Sequence, residues 1–421
     1  MAAPQPVSWE QVQSILDRQP TQQVPFAQYV VHIGAVQGGV INLAAPGQQA
    51  ANRLHPLPQP PRVLPRRISG FVDREEEQRT LGQALARRQV VDLHGPDGLG
   101  KTALISRAMH SQLPGAFPDG MVYLSARHET RQDLLQALVK HFFAADDSLH
   151  VTDNDARRLM ADKRALIAVD DVNHLEEGEA EDLTQIVPNC ALLIAGREQQ
   201  VWSGEDVPLG GLPREQAVAL FERRWGPLGD RERPLAEAIC RALGDAPLAI
   251  IKTASTARSR RVPLEQVWQE VQPPAAQPDP LGQAVSMMGR HLSAEERRLL
   301  GGLVAPGAAT VGVGALPAIT GLTPAQVNQA LPSLQAMGLV QAHSPRYSVD
   351  EGLRPYIRRY GVDEGMRQRA ADYYRQQAGR LRGEGKDPDE ENVINALRHY
   401  YRRQQWPQVI EIARAIEPYL V

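Results

Sequence analysis

A chain of 421 residues, 23% charged and 42% apolar, has the makeup of a soluble globular protein of roughly three domains at about 150 residues each. Its formal net charge of −3 marks it for neither nucleic acid nor a membrane surface, and no apolar run approaches the ~18 residues of a membrane span. The opening MAAPQPVSWEQ lacks the basic-then-apolar order of a signal peptide, and Cys190 and Cys240 have no metal or redox spacing, so a reduced, cytoplasmic protein is expected.

Residues 1–45 read as a small α+β unit. Ser8 is a candidate N-cap for a short helix, and Tyr29–Ile33 with Val40–Leu43 suggest a hairpin. This unit is either an adaptor that recruits an effector or an arm that packs on its neighbour. Residues 46–67 are a Pro-rich linker. Residues 68–208 alternate strand and helix, with candidate strands Val90–His94, Met121–Ser125, Ala165–Val169, Ala191–Ala195 and a short Gln200–Trp202. Such alternation predicts a three-layer α/β domain around a parallel sheet.

Residues 209–272 are wholly helical in pattern, and PPAAQPDP over 273–280 reads as a boundary. Residues 281–361 hold four helical segments and then Leu339–Gln341 and Tyr347–Val349 around a His-Ser-Pro-Arg turn, the order of a winged helix. Residues 363–421 are amphipathic helices whose pairing suggests the start of a TPR-like solenoid. So short a stack leaves an apolar face uncovered: the tail packs back on the body, which is the expectation, or docks a partner, or belongs to a longer natural protein.

The chemistry concentrates in QVVDLHGPDGLGKTAL, residues 89–104. A β-branched run leads into Gly95, Pro96, Asp97, Gly98, Leu99, Gly100, Lys101 and Thr102, which fit G-x-x-x-x-G-K-[ST], and a helix follows from Ala103. Strand, glycine loop and helix in that order form a phosphate cradle. Backbone N–H groups converge, the helix start adds positive potential, Lys101 reaches the β and γ phosphates, and the Thr102 hydroxyl holds Mg²⁺. The chain has only five lysines, and Lys101 sits where the motif needs one.

Ala165-Leu-Ile-Ala-Val ends in Asp170 and Asp171. Asp170 would bind Mg²⁺ through water, and Asp171 would orient or deprotonate an attacking water; with Lys101 they make the candidate catalytic set. The other reading is a strand end capped by a turn aspartate. Asp171 is shorter than the glutamate of fast hydrolytic machines, so slow turnover is expected. A third apolar strand ends in Gly196-Arg197, where an arginine either senses a γ-phosphate or is a surface residue after a turn.

Together these elements resemble the STAND class of P-loop NTPases, in the NB-ARC branch shared by plant resistance proteins, apoptosome scaffolds and many bacterial regulators. Phe71-Val72-Asp73-Arg74-Glu75 resembles the opening motif that packs on adenine, with Asp73 where glycine is usual. Gly210–Phe221 resembles the first helix of the family's helical lid. Gly244-Asp-Ala-Pro247-Leu248 resembles its Gly-x-Pro-Leu motif, whose proline abuts the base. The resemblance implies a signalling switch that binds ATP or ADP with Mg²⁺. It rests closed on ADP, assembles into a homo-oligomer on ATP exchange, and resets by weak ATP hydrolysis, in bacterial defence or stress regulation. An effector or trigger protein would meet the N-terminal unit or the tail.

One position departs from the pattern. Asp350 stands where the family's winged helix carries a histidine that touches the ADP β-phosphate. A carboxylate repels phosphate, so either the lock is built differently or Arg354 or another group serves. The rival function is a DNA-dependent ATPase or transcription regulator. Against it, no Lys or Arg lies between Arg298 and Arg346, so the candidate recognition helix 323–337 would meet phosphates without a cation. A catalytic effector within the chain lacks a motif, since the 11 histidines are scattered.

Overall fold

Long apolar strands cannot leave either face in water, and here they line up in one sheet. Its strands are β1 (Arg62–Val63), β2 (Val90–His94), β3 (Met121–Ser125), β4 (Leu166–Asp170), β5 (Ala191–Gly196) and β6 (Glu205–Pro208). They pair in the order β1-β3-β4-β5-β2-β6, all parallel. Every residue of β4 and β5 is buried, as an inner strand covered on both sides requires. The computed structural model describes residues 54–68, 71–72, 74–111, 114–127, 129–144, 151–272, 279–381 and 387–420. The expected helix and hairpin of residues 1–45, the first part of the linker and Asp73 lie outside them.

The described chain forms two units, one of residues 54–96 and 100–210, the other of residues 97–99 and 211–420. In the first, helices α1 (Glu75–Ala86), α2 (Lys101–Ser111), α3 (Arg131–Phe142), α4 (Asp153–Met160) and α5 (Glu179–Ile186) accompany the sheet. Thr130 and Thr152 start α3 and α4 with reciprocal capping boxes to Asp133 and Asp155, which satisfies N–H groups that a helix start leaves open.

The expected strand Gln200–Trp202 is corrected. Asp92, buried in β2, accepts the main-chain N–H groups of Gln200 (2.6 Å) and Val201 (2.5 Å), so these residues are tied down as a loop. The sixth strand forms three residues further on, at β6. Burial raises the Asp92 carboxyl above the usual aspartate range, against the pull of those two N–H groups.

The second unit opens with α6 (Arg214–Trp225), α7 (Arg233–Ala242), α8 (Pro247–Arg260) and α9 (Leu264–Val271). Proline at the first position of α8 suits a turn that needs no N–H donor. Then come α10 (Pro280–His291), α11 (Ala294–Val304), strand β7 (Val311–Gly312), α12 (Leu316–Thr320) and α13 (Pro324–Ala336), followed by β8 (Val340–Ala342) and β9 (Arg346–Val349). The last two strands are antiparallel, and β9 also pairs with β7, a third strand too short to read from the sequence.

Helix α14 (Arg354–Gly361) follows β9, and the tail is α15 (Glu364–Gln377), α16 (Glu390–Arg402) and α17 (Trp406–Leu420). It is fastened to the preceding elements by Arg369 Nε donating to Ile319 O at 2.8 Å and by an Arg346–Asp389 ion pair at 2.9 Å. Tyr400 is buried and donates to Asp372 of α15 at 2.6 Å, while Trp406 and Ile410 of α17 are each 40% exposed. Both cysteines are free and buried, and burial pushes their thiols up to about 11 (Cys190) and about 12 (Cys240). Among the described residues no helix is long and apolar enough to cross a membrane.

Candidate nucleotide-binding site

Strand register brings the chemistry to one edge. Ser125, Asp170 and Ala195 stand opposite one another across β3, β4 and β5, and His94 stands opposite Gly196. The carboxyl ends of four strands are therefore level, which is where open α/β sheets bind ligands. From β2 the chain enters the glycine loop. Gly95, Gly98 and Gly100 have φ of 149°, 84° and 97°, a region that side-chain-bearing residues rarely adopt. Helix α2 starts at Lys101, so the first N–H groups of a helix face the loop.

Lys101 curls over that loop, its Nζ donating to Gly95 O at 2.5 Å and Pro96 O at 3.1 Å. The Thr102 hydroxyl donates to Asp170 Oδ2 at 2.7 Å across 68 residues of sequence. Asp170 is 5% exposed. Burial raises its carboxyl above the usual range, while the bonds from Thr102 and from Tyr123 hold it down. Tyr123 donates to the same oxygen at 3.0 Å. Ala103 follows in the first turn of α2, half-buried; a Cβ on Gly100 would find it 4.0 Å away and no closer atom outside the loop's own neighbours.

Asp171 has left-handed backbone, φ 64°, which aspartate tolerates better than most residues. Its Oδ2 pairs with Arg127 Nε at 3.1 Å and its Oδ1 accepts from Asn173. Asn173 also accepts the main-chain N–H of Arg197 at 2.7 Å. One amide thus ties the end of β4 to the turn after β5, where the exposed Arg197 side chain begins. Sequence reasoning missed Tyr123, Arg127 and Asn173. Only Asn173, two places after the acid pair, left a local trace.

The remaining candidates are dispersed. Phe71 and Val72 are half-buried, and Arg74 is 5% exposed, its guanidinium held by Gly210 O and Glu77, each at 2.7 Å. Pro247 and Leu248 belong to the second unit. There the Leu248 N–H donates to Gly98 O at 3.1 Å, and a Cβ on Gly98 would stand 3.2 Å from Leu248 Cβ. One turn along α8, Lys252 is 5% exposed, donates to Gly338 O, and forms an ion pair with Asp350. Asp350 also accepts from Gln341 at 2.9 Å. Arg354, the other group considered for that region, is spent on the carbonyls of Gly307, Ala308 and Ala309. Lys252 was visible in the sequence only as one of five lysines.

The glycine loop, the lysine at its end and the hydroxyl paired with a buried carboxylate fit a phosphate chain with a divalent cation, and the sheet order fits the P-loop NTPase class. More narrowly, residues 74–216 match the NB-ARC domain model. No curated protein matches the chain. Among solved structures it is similar to a STAND protein with a tetratricopeptide repeat sensor from Pyrococcus horikoshii, at 15% identity and a TM-score of 0.51, covering 84% of this chain and 54% of that one. The chain therefore spans about half the length of that relative. A Walker-type ATPase of Pyrococcus abyssi matches at 14% identity and a TM-score of 0.36, over 70% of this chain and 97% of that one. Domain III of the replication initiation protein DnaA from Thermotoga maritima matches at 15% identity and a TM-score of 0.32, over 47% and 91%.

Proposed function

We propose that the chain is a signalling switch that binds ATP or ADP with Mg²⁺ and changes its assembly state with the nucleotide. The observation that carries this reading is the Thr102–Asp170 bond beneath the glycine loop, because that pair is what a phosphate-bound Mg²⁺ requires. Lys101 would hold the β and γ phosphates and the loop N–H groups the remaining oxygens. Arg197 would sense the γ-phosphate; Phe71, Val72, Pro247 and Leu248 would face the base. Mg²⁺, when bound, supplies positive charge against the phosphate oxygens. Asp171 would orient the attacking water, and its bonds to Arg127 and Asn173 suit a slow reset rather than a fast motor.

In this reading residues 209–272 are the lid, 281–361 a winged helix and 363–421 a helical tail, with effector or trigger proteins meeting the tail or the N-terminal unit. ADP keeps the protein at rest, exchange for ATP lets copies join, and defence or stress regulation is the setting. Asp350 need not repel ADP, because Lys252 neutralises it, so the clasp between α8 and the end of β9 stands in for a histidine lock. The winged helix is a packing module, since no cation occurs between Arg298 and Arg346 to serve DNA phosphates. The test is the nucleotide released when freshly purified protein is denatured. Near-stoichiometric ADP is expected. An empty site with rapid turnover of added ATP overturns the switch in favour of a working ATPase.

A further inference from the structure

Trp202 and Tyr360 are the two most exposed large apolar side chains among the described residues, at 76% and 72%. Tryptophan and tyrosine are the side chains that most often anchor protein–protein contacts. The backbone that carries Trp202 is tied down: its main-chain N–H donates to Glu181 of α5 at 2.7 Å, and the preceding Val201 N–H donates to the buried Asp92 at 2.5 Å. Acids lie close by: Glu181 accepts from the Trp202 backbone, and β6 begins with the exposed Glu205 and with Asp206, whose Oδ1 lies 2.8 Å from His94 Nε2.

Tyr360 borders a surface of opposite character in the second unit. A cavity of about 790 Å³ lies among α10, α11 and α14, with Leu292, Leu300 and Ile357 in its walls. Arg297 and Arg359 are exposed at its border, and Arg359 Cζ lies 5.4 Å from the Tyr360 ring centre. The cavity's two carboxylates already hold donors, Glu270 from His291 at 2.9 Å and Asp279 from Tyr356 at 2.7 Å. The charge left to meet a partner is positive. Aromatic, arginine and aliphatic groups around a pocket are the composition of a binding hot spot.

We propose that Trp202 of one copy seats in this cavity of a second copy, with the acids around the indole facing Arg297 and Arg359. The two surfaces differ, so the contact is head-to-tail and propagates into a ring or filament. This inference rests on the switch reading for its trigger, ATP exchange, and specifies how copies meet.

The test uses the full chain with a non-hydrolysable ATP analogue and Mg²⁺, with particle size read by sedimentation and nucleotide binding read separately. Trp202→Ala removes the knob, and Arg297→Glu with Arg359→Glu reverses the groove. Each is expected to raise the concentration for half-assembly by roughly 30-fold while leaving nucleotide affinity unchanged. Mixing the two variants leaves one intact knob and one intact groove, so dimers form and nothing larger does. Assembly of either variant like the wild type overturns the proposal. So does failure of the mixture to dimerise, or a wild type that binds the analogue and stays monomeric. Failure to bind nucleotide at all sinks the switch reading as well, and the separate binding measurement distinguishes the two.

Discussion

Two bonds between residues far apart in sequence define this molecule, and they differ in kind. Thr102–Asp170 joins a neutral, exposed hydroxyl to a buried carboxylate at the edge of a sheet. Lys252–Asp350 joins two opposite charges, one of them 5% exposed, among helices. The first leaves a carboxylate held above its usual range by burial, a group whose charge is better satisfied by a cation than by its present neighbours. The second has each charge answered by the other. In the proposed reading the first pair gives way to a ligand, while the second holds within the protein.

The largest effect that would sharpen this contrast is on binding. Lys101→Ala should weaken ATP by about 3 kcal/mol, roughly a hundredfold in Kd by calorimetry, because a charge-assisted contact to phosphate is lost. An unchanged Kd would break the reading of the loop. Next is the clasp. Asp350→Ala should cost about 3 kcal/mol in urea unfolding, since it strands a buried cation with only the Gly338 carbonyl and the low dielectric around it. Lys252→Met should cost about 1 kcal/mol, as Asp350 keeps Gln341 and some access to water. Equal losses would contradict a clasp whose buried end is the lysine.

A smaller effect tests Asp171. Asp171→Gly should leave unfolding nearly unchanged, whereas Asp171→Ala should cost about 1 kcal/mol because alanine resists the left-handed backbone. Loss of ATP hydrolysis in the folded glycine variant would assign the carboxylate to chemistry rather than to the turn. The last effect has the opposite sign. The folded-state value of Asp170 is raised, so its ionisation costs the nucleotide-free fold stability as pH climbs from about 3.8 through that value. Asp170→Asn removes the cost. Its stability advantage over the wild type should be absent below that range and grow to a plateau above it, while the gain in ATP affinity from Mg²⁺ disappears. A pH-independent difference would refute a burdened carboxylate.

How much of this was legible depends on how locally each feature is written. The glycine loop is contiguous, and β2, β4 and β5 announce themselves as apolar runs ending in Gly95, Asp170 and Gly196. The ends of the sheet were harder. Beyond β5 the apolar Val201 suggested a strand, yet the buried Asp92 claims the N–H groups there and moves the strand to Glu205–Pro208. The polar residue inside the run Val-Val-Asp-Leu-His was the available clue. Tyr123 reaches Asp170 only because parallel pairing sets Ser125 opposite it. Lys252 meets Asp350 across 98 residues of sequence, a tertiary fact with no short-range signature.

The scarcity of lysine has a practical consequence. With five in the chain, amine-directed labelling read by mass spectrometry yields almost a private signal from each. Lys101 should be shielded by nucleotide and Lys252 by the clasp, so a single spectrum follows occupancy and opening in two separate channels. A trigger that raises labelling at residue 252 while residue 101 stays protected would catch the protein unlatched with its nucleotide still aboard.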